Sequence, residues 1–410
     1  MRLIIIDAGF STDHGHHYAM NDFICSQGKE RGYRGLVIGP KLYEQAAKVA
    51  GYRKPRFLHK AILRTSDYDM PLEPDGDNRE LFLYKTYQFG SYNMSVQQDL
   101  ETNVPLERLA DGDMIIVHTA FLTSIMGIAK WLRKSKKSLK VRIVFRFPPW
   151  MYQVNRQVAE LFFTEALYCC EQIPADVVLF TDIEEYTKYI KEKTSLPVYT
   201  TPMGLDFYDD IGITDPEGTE ETGYTFVAAG LPHKAKGSDL LPEAIYRHLE
   251  KFPKDRFIIQ ENPRRRFEKF YQKYSIDFCS NIQVVRESLE SRDFHKLLLK
   301  ADIILNPYNP LHYEFRSSHI FIEGLGLNRV VIGGNLHWTR EWIEKVGDVG
   351  MILQEHTVDE LVNVMDQVRS NIQQHRSVVA SVASKVRLEN NGARWLDFVL
   401  EPPKSNEEAN

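Results

Sequence analysis

Leu3-Ile4-Ile5-Ile6, the polar Gly-containing loop Asp7 to His17, a helix-like stretch from Tyr18, and then Gly35-Leu36-Val37-Ile38-Gly39 form the passage whose order decides the fold. A strand that is apolar at every position is covered on both faces, and a helical crossover returns the chain parallel to it. The same grammar recurs at Met114-Ile115-Ile116-Val117, Val141-Arg142-Ile143-Val144-Phe145 and Val177-Val178-Leu179-Phe180. The second half repeats it at Thr225-Phe226-Val227-Ala228, Phe257-Ile258-Ile259, Ile303-Ile304-Leu305 and Val330-Val331-Ile332. The expected class is α/β, with two Rossmann-like, doubly wound parallel-sheet domains.

The stretch Phe207 to Thr222 carries Asp209, Asp210, Asp215, Glu217, Glu220 and Glu221 with no Lys or Arg, and reads as a solvated acidic linker. It sets the expected boundaries: a first domain over 1–206, the linker over 207–222 and a second domain over 223–387. A terminal helix at about 388–402 is expected to pack back on the first domain. The chain has 410 residues, which fits two or three domains at about 150 residues each. Its 43% hydrophobic content excludes wholesale disorder. With 51 Lys+Arg against 56 Asp+Glu, no nucleic-acid partner is expected. The apolar N-terminal run stops at Asp7, too short for a signal-peptide core, and no stretch reaches a membrane span. Cys25, Cys169, Cys170 and Cys279 form no Cys-x-x-Cys pair. A cytoplasmic location with reduced thiols follows, in which Asn93-Met94-Ser95 has no meaning as a glycosylation sequon.

No Gly-x-Gly-x-x-Gly follows a strand and no Walker A sequence exists, so neither a dinucleotide cofactor nor a P-loop is expected. Three Asp-x-Asp triplets occur, at Asp67/Asp69, Asp75/Asp77 and Asp111/Asp113, and read as turns. His14, His16 and His17 look like metal ligands, but three imidazoles in four residues rarely close a tetrahedral site without a fourth ligand nearby. Their position after the first strand fits a loop lining a cleft, where open α/β sheets hold ligands. No metal is expected.

The second half carries the chemistry. Ala301 to Tyr308 is a strand ending in a turn, a polar loop runs from Asn309 to Arg316, and Ser317-Ser318-His319 opens a helix. Ser is a good N-cap, and a helix N-terminus is a ready anion site. Glu323 lies four residues after His319, on the same helix face. The loop Gly230-Leu231-Pro232-His233-Lys234-Ala235-Lys236-Gly237-Ser238 also follows a strand, and its lysines suit a diphosphate.

Taken in order, these segments resemble a GT-B glycosyltransferase, most similar to the retaining glycosyltransferase family 4 type. Gly15-His16-His17 resembles the family's Gly-rich first loop. Asp113 to His118 resembles its Asp…His strand motif, and Pro202-Met203-Gly204-Leu205-Asp206 the end of its first domain. Lys236-Gly237 resembles the donor-phosphate Lys-Gly, and Glu314 to Glu323 the paired-glutamate motif. Two departures stand out. Leu231 occupies the place of the family's Arg, leaving His233 or Lys234 to compensate. Glu314 and Glu323 are one residue further apart than usual, so Phe315 stands in strict register.

The resemblance implies two domains facing across a cleft and metal-independent transfer of a hexosyl group, with retention, from a UDP- or GDP-sugar to a saccharide or lipid-linked acceptor. It implies that His118, Lys236 and Glu314 act in catalysis. It also implies that His233, Lys234, Lys236, Ser317, Ser318, His319 and Glu323 bind the donor, and that Gly15, His16, His17 and Arg146 line the cleft. No cofactor beyond the substrate nucleotide is implied. Two alternatives remain: a sugar-nucleotide epimerase of the same architecture, and a degenerate, non-catalytic scaffold. The first domain also holds two basic stretches. Lys29 to Arg64 has ten Lys/Arg against Glu30 and Glu44, and Lys130 to Arg142 has seven and no acid, with Trp131 and Leu132 among them. This asymmetry fits peripheral contact with an anionic membrane.

Overall fold

A computed structural model describes residues 1–11, 15–41, 43–44, 55–64, 79–152, 156–205, 211–230, 234–260, 280–287, 289–347 and 350–403. The chain divides into two units. Unit 1 is Met1–Gly204 with Gly392–Asn410, and unit 2 is Leu205–Asn391. Each is built on one all-parallel sheet.

In unit 1 the strands are β1 (Arg2–Ile6), β2 (Arg34–Pro40), β3 (His59–Leu63), β4 (Met114–Val117), β5 (Lys140–Val144), β6 (Asp176–Thr181) and β7 (Val198–Thr200), in the order β3-β2-β1-β4-β5-β6-β7. The crossovers hold α1 (Gly15–Glu30), α2 (Arg79–Asn103), α3 (Ile125–Leu132), α4 (Arg156–Glu171) and α5 (Glu184–Lys191). In unit 2, β8 (Thr225–Ala228), β9 (Arg256–Gln260), β10 (Ile282–Val285), β11 (Ile303–Asn306), β12 (Val330–Gly334) and β13 (Gly350–Leu353) run in the order β10-β9-β8-β11-β12-β13. Its helices are α6 (Leu241–Lys251), α7 (Ser291–Leu299), α8 (His319–Gly326), α9 (His337–Val346), α10 (Val358–Ser370) and α11 (Ile372–Glu389). The sheet order reverses direction between β1 and β4 and again between β8 and β11, the topological switch points at which such sheets open a crevice.

The apolar runs are buried because both faces of each sheet are covered. Leu3, Ile5, Ile116 and Phe180 in unit 1, and Phe226, Ile303, Ile304 and Val330 in unit 2, are shielded from solvent. The last helix, α12 (Gly392–Leu400), closes the unit 1 core: Trp395, Leu396 and Val399 join Leu3, Ile24 and Val178 in one apolar cluster. Gly392 is required where this helix starts, since a Cβ there would lie 2.5 Å from the Phe23 ring. The acidic segment expected as a free linker is tied to unit 2 over its described part. Gly218 N and Thr225 N both donate to the buried Asp302 carboxylate, at 2.9 and 2.6 Å, and Arg329 donates to Thr214 O. Its charge speaks for solvated side chains, while its backbone is held by hydrogen bonds that composition does not reveal.

Asp111-Gly112-Asp113 is a turn: Asp113 accepts from Arg2 and Ala110, Asp111 accepts from Ser138 N, and Gly112 has φ 83°. The other two Asp-x-Asp triplets lie outside the described residues. Asn93 is buried, with its amide spent on Phe89 O, Leu122 O and Gly127 N, so that sequon offers no acceptor. Trp131 and Leu132 are fully buried, and Arg142 is buried against Val399 O and the Asp176 carboxylate. The apolar residues in that basic stretch are therefore core, not membrane anchors. Among the described residues no helix is long and apolar enough to cross a membrane.

Leu396→Ala removes a side chain at the centre of the unit 1 core. It is expected to cost about 2–5 kcal/mol, read as a lower urea midpoint of unit 1. An unchanged midpoint would mean that α12 is not part of that core.

Candidate functional site

Residues gather at the carboxyl ends of the strands in both units. In unit 2, Gly230 follows β8 with φ 85°. A Cβ there would lie 2.9 Å from Ile320 Cδ1 and 3.2 Å from Lys236 Nζ, so the Gly230 backbone, the lysine and the start of α8 converge on one point. Gly230 N donates to Gln260 Oε1 at the end of β9 (2.8 Å). The turn bearing Lys236 is locked to the loop after β11. Asn309 N donates to Ala235 O (2.9 Å), and Gly237, φ 71°, lies so close to Pro307 O that a Cβ would sit 2.2 Å away.

Ser318 caps α8. Its Oγ accepts from Phe321 N (3.4 Å) and from Asn306 Nδ2 (2.9 Å), and its hydroxyl bonds the Tyr308 phenol. The cap hydroxyl is thus committed inside the unit, and the anion-binding capacity of this end rests on backbone N–H groups and the helix dipole. Tyr308 is pushed up to about 12, chiefly by burial, so it remains a neutral wall beneath Lys236, whose Nζ lies 5.8 Å from its ring centroid. Glu323 keeps 14% of its side chain exposed, and its Oε1 lies 3.3 Å from Nε2 of the buried His295 on α7. Asn306 Oδ1 and Ser238 Oγ are buried with no hydrogen-bond partner among the described residues.

The donor residues read from sequence therefore divide. Lys236, Ser318, His319 and Glu323 share one edge of unit 2. Lys234 is exposed beside it, Ser317 and Glu314 are half-buried in the loop, and Phe315 turns inward. His233 and Leu231 lie outside the described residues. His295, Gln260, Asn306 and Tyr308 were not read as site residues from the sequence: His295 and Gln260 act through neighbours 28 and 30 residues away, and Asn306 and Tyr308 through the Ser318 cap.

In unit 1 the residues just past β1, β4, β5 and β6 are Asp7, His118, Arg146 and Asp182, a buried row along four adjacent strands. His17 Nδ1 lies 2.7 Å from Asp7 Oδ1 and Gly9 N 3.1 Å from the same oxygen; Asn21 Nδ2 (2.7 Å) and His118 Nε2 (3.2 Å) reach Oδ2. Burial alone would raise the Asp7 carboxyl, but the two histidines, by charge and hydrogen bond, hold it far below the usual carboxylate range. Burial pulls His118 below its ordinary value, against Asp7. Arg146 donates to His118 O (3.1 Å) and Asp182 (3.3 Å). Asp7, His17 and His118 offer ligand-type atoms within 4.8 Å of one another. Four N–H donors already fill the lone-pair positions of this carboxylate, so a cation would have to displace them.

The structure encloses His118, to which the resemblance gave a catalytic role. Its side chain is 0% exposed and both ring nitrogens are engaged, Nδ1 with Thr119 Oγ1 at 3.0 Å. Arg146 is likewise enclosed. His16 is half-buried, its ring 6.1 Å from that of His118, and Gly15 opens α1. His17 keeps 10% of its side chain exposed and stacks on Phe121 (6.2 Å), which stacks on the half-exposed Phe147 (5.3 Å).

No family model and no curated protein matches the sequence. Solved structures do. A sucrose-phosphate synthase from Thermosynechococcus elongatus is 11% identical at a TM-score of 0.64, over 98% of this chain and 97% of that one. An α,α-trehalose-phosphate synthase (UDP-forming) from Burkholderia xenovorans, solved with glucose-6-phosphate, is 14% identical at 0.66, over 97% and 98%. A putative UDP-N-acetylglucosamine 2-epimerase from Listeria monocytogenes is 12% identical at 0.57, over 97% and 94%. At these identities the likeness establishes the fold, which is the expected GT-B type of two parallel-sheet α/β domains.

Gly237→Ala adds a methyl against Pro307 O at a positive φ. It is expected to cost about 1–3 kcal/mol. Gly90→Ala, on α2 with nothing within 4 Å, is the tolerated control. Equal melting temperatures for the two variants would contradict the locked loop.

Proposed function

We propose that the protein is a glycosyltransferase that moves a hexosyl group, with retention and without a metal, from a UDP- or GDP-sugar to a saccharide or lipid-linked acceptor. The observation that carries this reading is the convergence of Gly230, Lys236 and the Ser318-capped start of α8 on one point of unit 2. A diphosphate suits that point. Lys236 supplies a full positive charge, the helix start supplies oriented N–H groups, and Gly230 lets the backbone approach closely. Glu323, steadied by His295 one turn along α8, suits a ribose hydroxyl. Charge stabilisation of the departing diphosphate is then the main catalytic device, already oriented before the donor arrives. His319, next to the cap, is assigned to donor contact along with Lys234 and Ser317, and Glu314 keeps the catalytic role that the resemblance implies. The synthases that share the fold support the reading.

The test is a panel of radiolabelled UDP- and GDP-sugars. Release of free sugar or transfer from one donor is expected, and Lys236→Ala should weaken binding of the matching nucleotide about 10–100-fold, the loss of a hydrogen bond to a charged group. The epimerase among the similar structures sustains a second reading. Interconversion of two UDP-sugars without release would favour it, and no turnover with unchanged nucleotide binding in Lys236→Ala would overturn both.

The acceptor reading includes peripheral contact with an anionic membrane. With Trp131 and Leu132 buried, this contact falls to exposed charges such as Arg133, Lys134, Lys136 and Lys140. It is then electrostatic and screened by salt. Flotation with phosphatidylserine vesicles at low salt, lost at 0.5 M NaCl, is expected; no flotation at low salt would rule the contact out.

A further inference from the structure

Gln260 ends β9, the strand between β8 and β10. The backbone ladders stop beside it: Gln260 pairs with Val285 on β10, and Ile259 pairs with Ala228 on β8. Glu287 and Gly230 each lie two residues past the end of their strand, and there the Gln260 side chain takes over. Its Oε1 accepts from Gly230 N at 2.8 Å, and its Nε2 donates to Glu287 O at 3.1 Å. A primary amide carries the same donor and acceptor as a peptide group, so this side chain adds one rung to the ladder on both sides. The reverse orientation would set NH2 against N–H and carbonyl against carbonyl, so the two bonds together fix which atom is which.

The bridge has a consequence for the point where Gly230 meets Lys236. The Gly230 N–H is consumed by Gln260, so it is not one of the groups that grip an anion. What Gly230 supplies is clearance. At φ 85°, its Cα sits where an added Cβ would meet Ile320 Cδ1 at 2.9 Å and Lys236 Nζ at 3.2 Å. Room that narrow depends on how the Gly230 peptide is turned. A backbone N–H deprived of its acceptor turns toward another one or toward water, and the chain at this point turns with it. Gln260 itself is buried, at 5% exposure, so its amide cannot trade these partners for solvent without opening the loops.

We propose that Gln260 is a positioning residue of the nucleotide site: by bonding Gly230 and Glu287 at once, it holds the loops after β8 and β10 in the arrangement that leaves room for a diphosphate beside Lys236. It acts through Gly230 rather than on the ligand. The nucleotide part rests on the glycosyl-transfer reading, whereas the bridge between the two loops does not.

Two substitutions test it. Gln260→Met keeps the size but has neither donor nor acceptor. Gln260→Glu has two states. Protonated, the introduced carboxyl offers one acceptor and one donor and can make both bonds; ionised, it only accepts and sets an anionic oxygen against Glu287 O. Burial and that carbonyl both favour its protonated form. Binding of UDP and GDP to the full chain is measured by calorimetry at pH 5 and pH 8, each variant against the unmodified protein at the same pH. Hydrogen exchange is read at the Gly230 amide. Gln260→Met is expected to bind about 10-fold more weakly at both pH values, the loss of one hydrogen bond, with faster Gly230 exchange. Gln260→Glu should lose at least as much at pH 8 and recover to within about 2-fold at pH 5, a rescue that lost packing would not give. Unchanged binding in Gln260→Met, or weakened binding with Gly230 still protected, would sink the proposal. So would equal losses for Gln260→Glu at the two pH values, and this comparison decides alone if Gln260→Met does not fold. If the unmodified protein binds neither nucleotide, the glycosyl-transfer reading fails and takes the nucleotide part with it, while Gly230 exchange still decides the bridge.

Discussion

The reversal of strand order at β1/β4 and at β8/β11 is the constraint on which everything else depends. Helices leaving neighbouring strands toward opposite faces part there and leave a crevice at the carboxyl ends. Whatever follows those strands has no covering helix and must satisfy its own backbone. In unit 2 the requirement is met by cross-bonded loops: Ala235 O accepts from Asn309 N, Gly230 N donates to Gln260, and Ser318 caps α8. In unit 1 it is met by a buried carboxylate that gathers four N–H donors. The two solutions differ in kind. Loops held by backbone bonds present amides and a lysine, which suit an anion.

Buried polar groups of this sort stabilise a structure only when every member is satisfied. The unit 1 row meets that demand at Asp7 and His118 and falls short at Arg146, which donates to His118 O and Asp182 while its Nη2 is buried with no hydrogen-bond partner among the described residues. His118 contributes there by completing the row, and its burial follows from having acceptors on one ring edge and a donor hydroxyl on the other.

The interior of both sheets was legible in the sequence, since β1, β2, β4, β5, β6, β8, β9, β11 and β12 are runs of apolar residues. The four strands that were not, β3, β7, β10 and β13, are the four sheet edges. An edge strand has one neighbour and partial cover, so its residues need not form a buried apolar run, as in the half-exposed Ile282–Val285. Lys236, Ser318 and Glu323 were legible because cap chemistry and helical spacing are local rules. The Asp7–His118 and His295–Glu323 pairs were not, because 111 and 28 residues separate their members. Charge counting misled where burial intervenes: Arg142 belongs to the core, and Trp131 lies beneath the basic surface.

The central claim is that unit 2 holds a nucleoside diphosphate at the point where Gly230, Lys236 and the start of α8 converge. A crystal structure with bound UDP or GDP tests it most directly. The account predicts the diphosphate between Lys236 Nζ and the first-turn N–H groups of α8, with a ribose hydroxyl on Glu323. A nucleotide bound elsewhere, with Lys236 and Glu323 untouched, would contradict it.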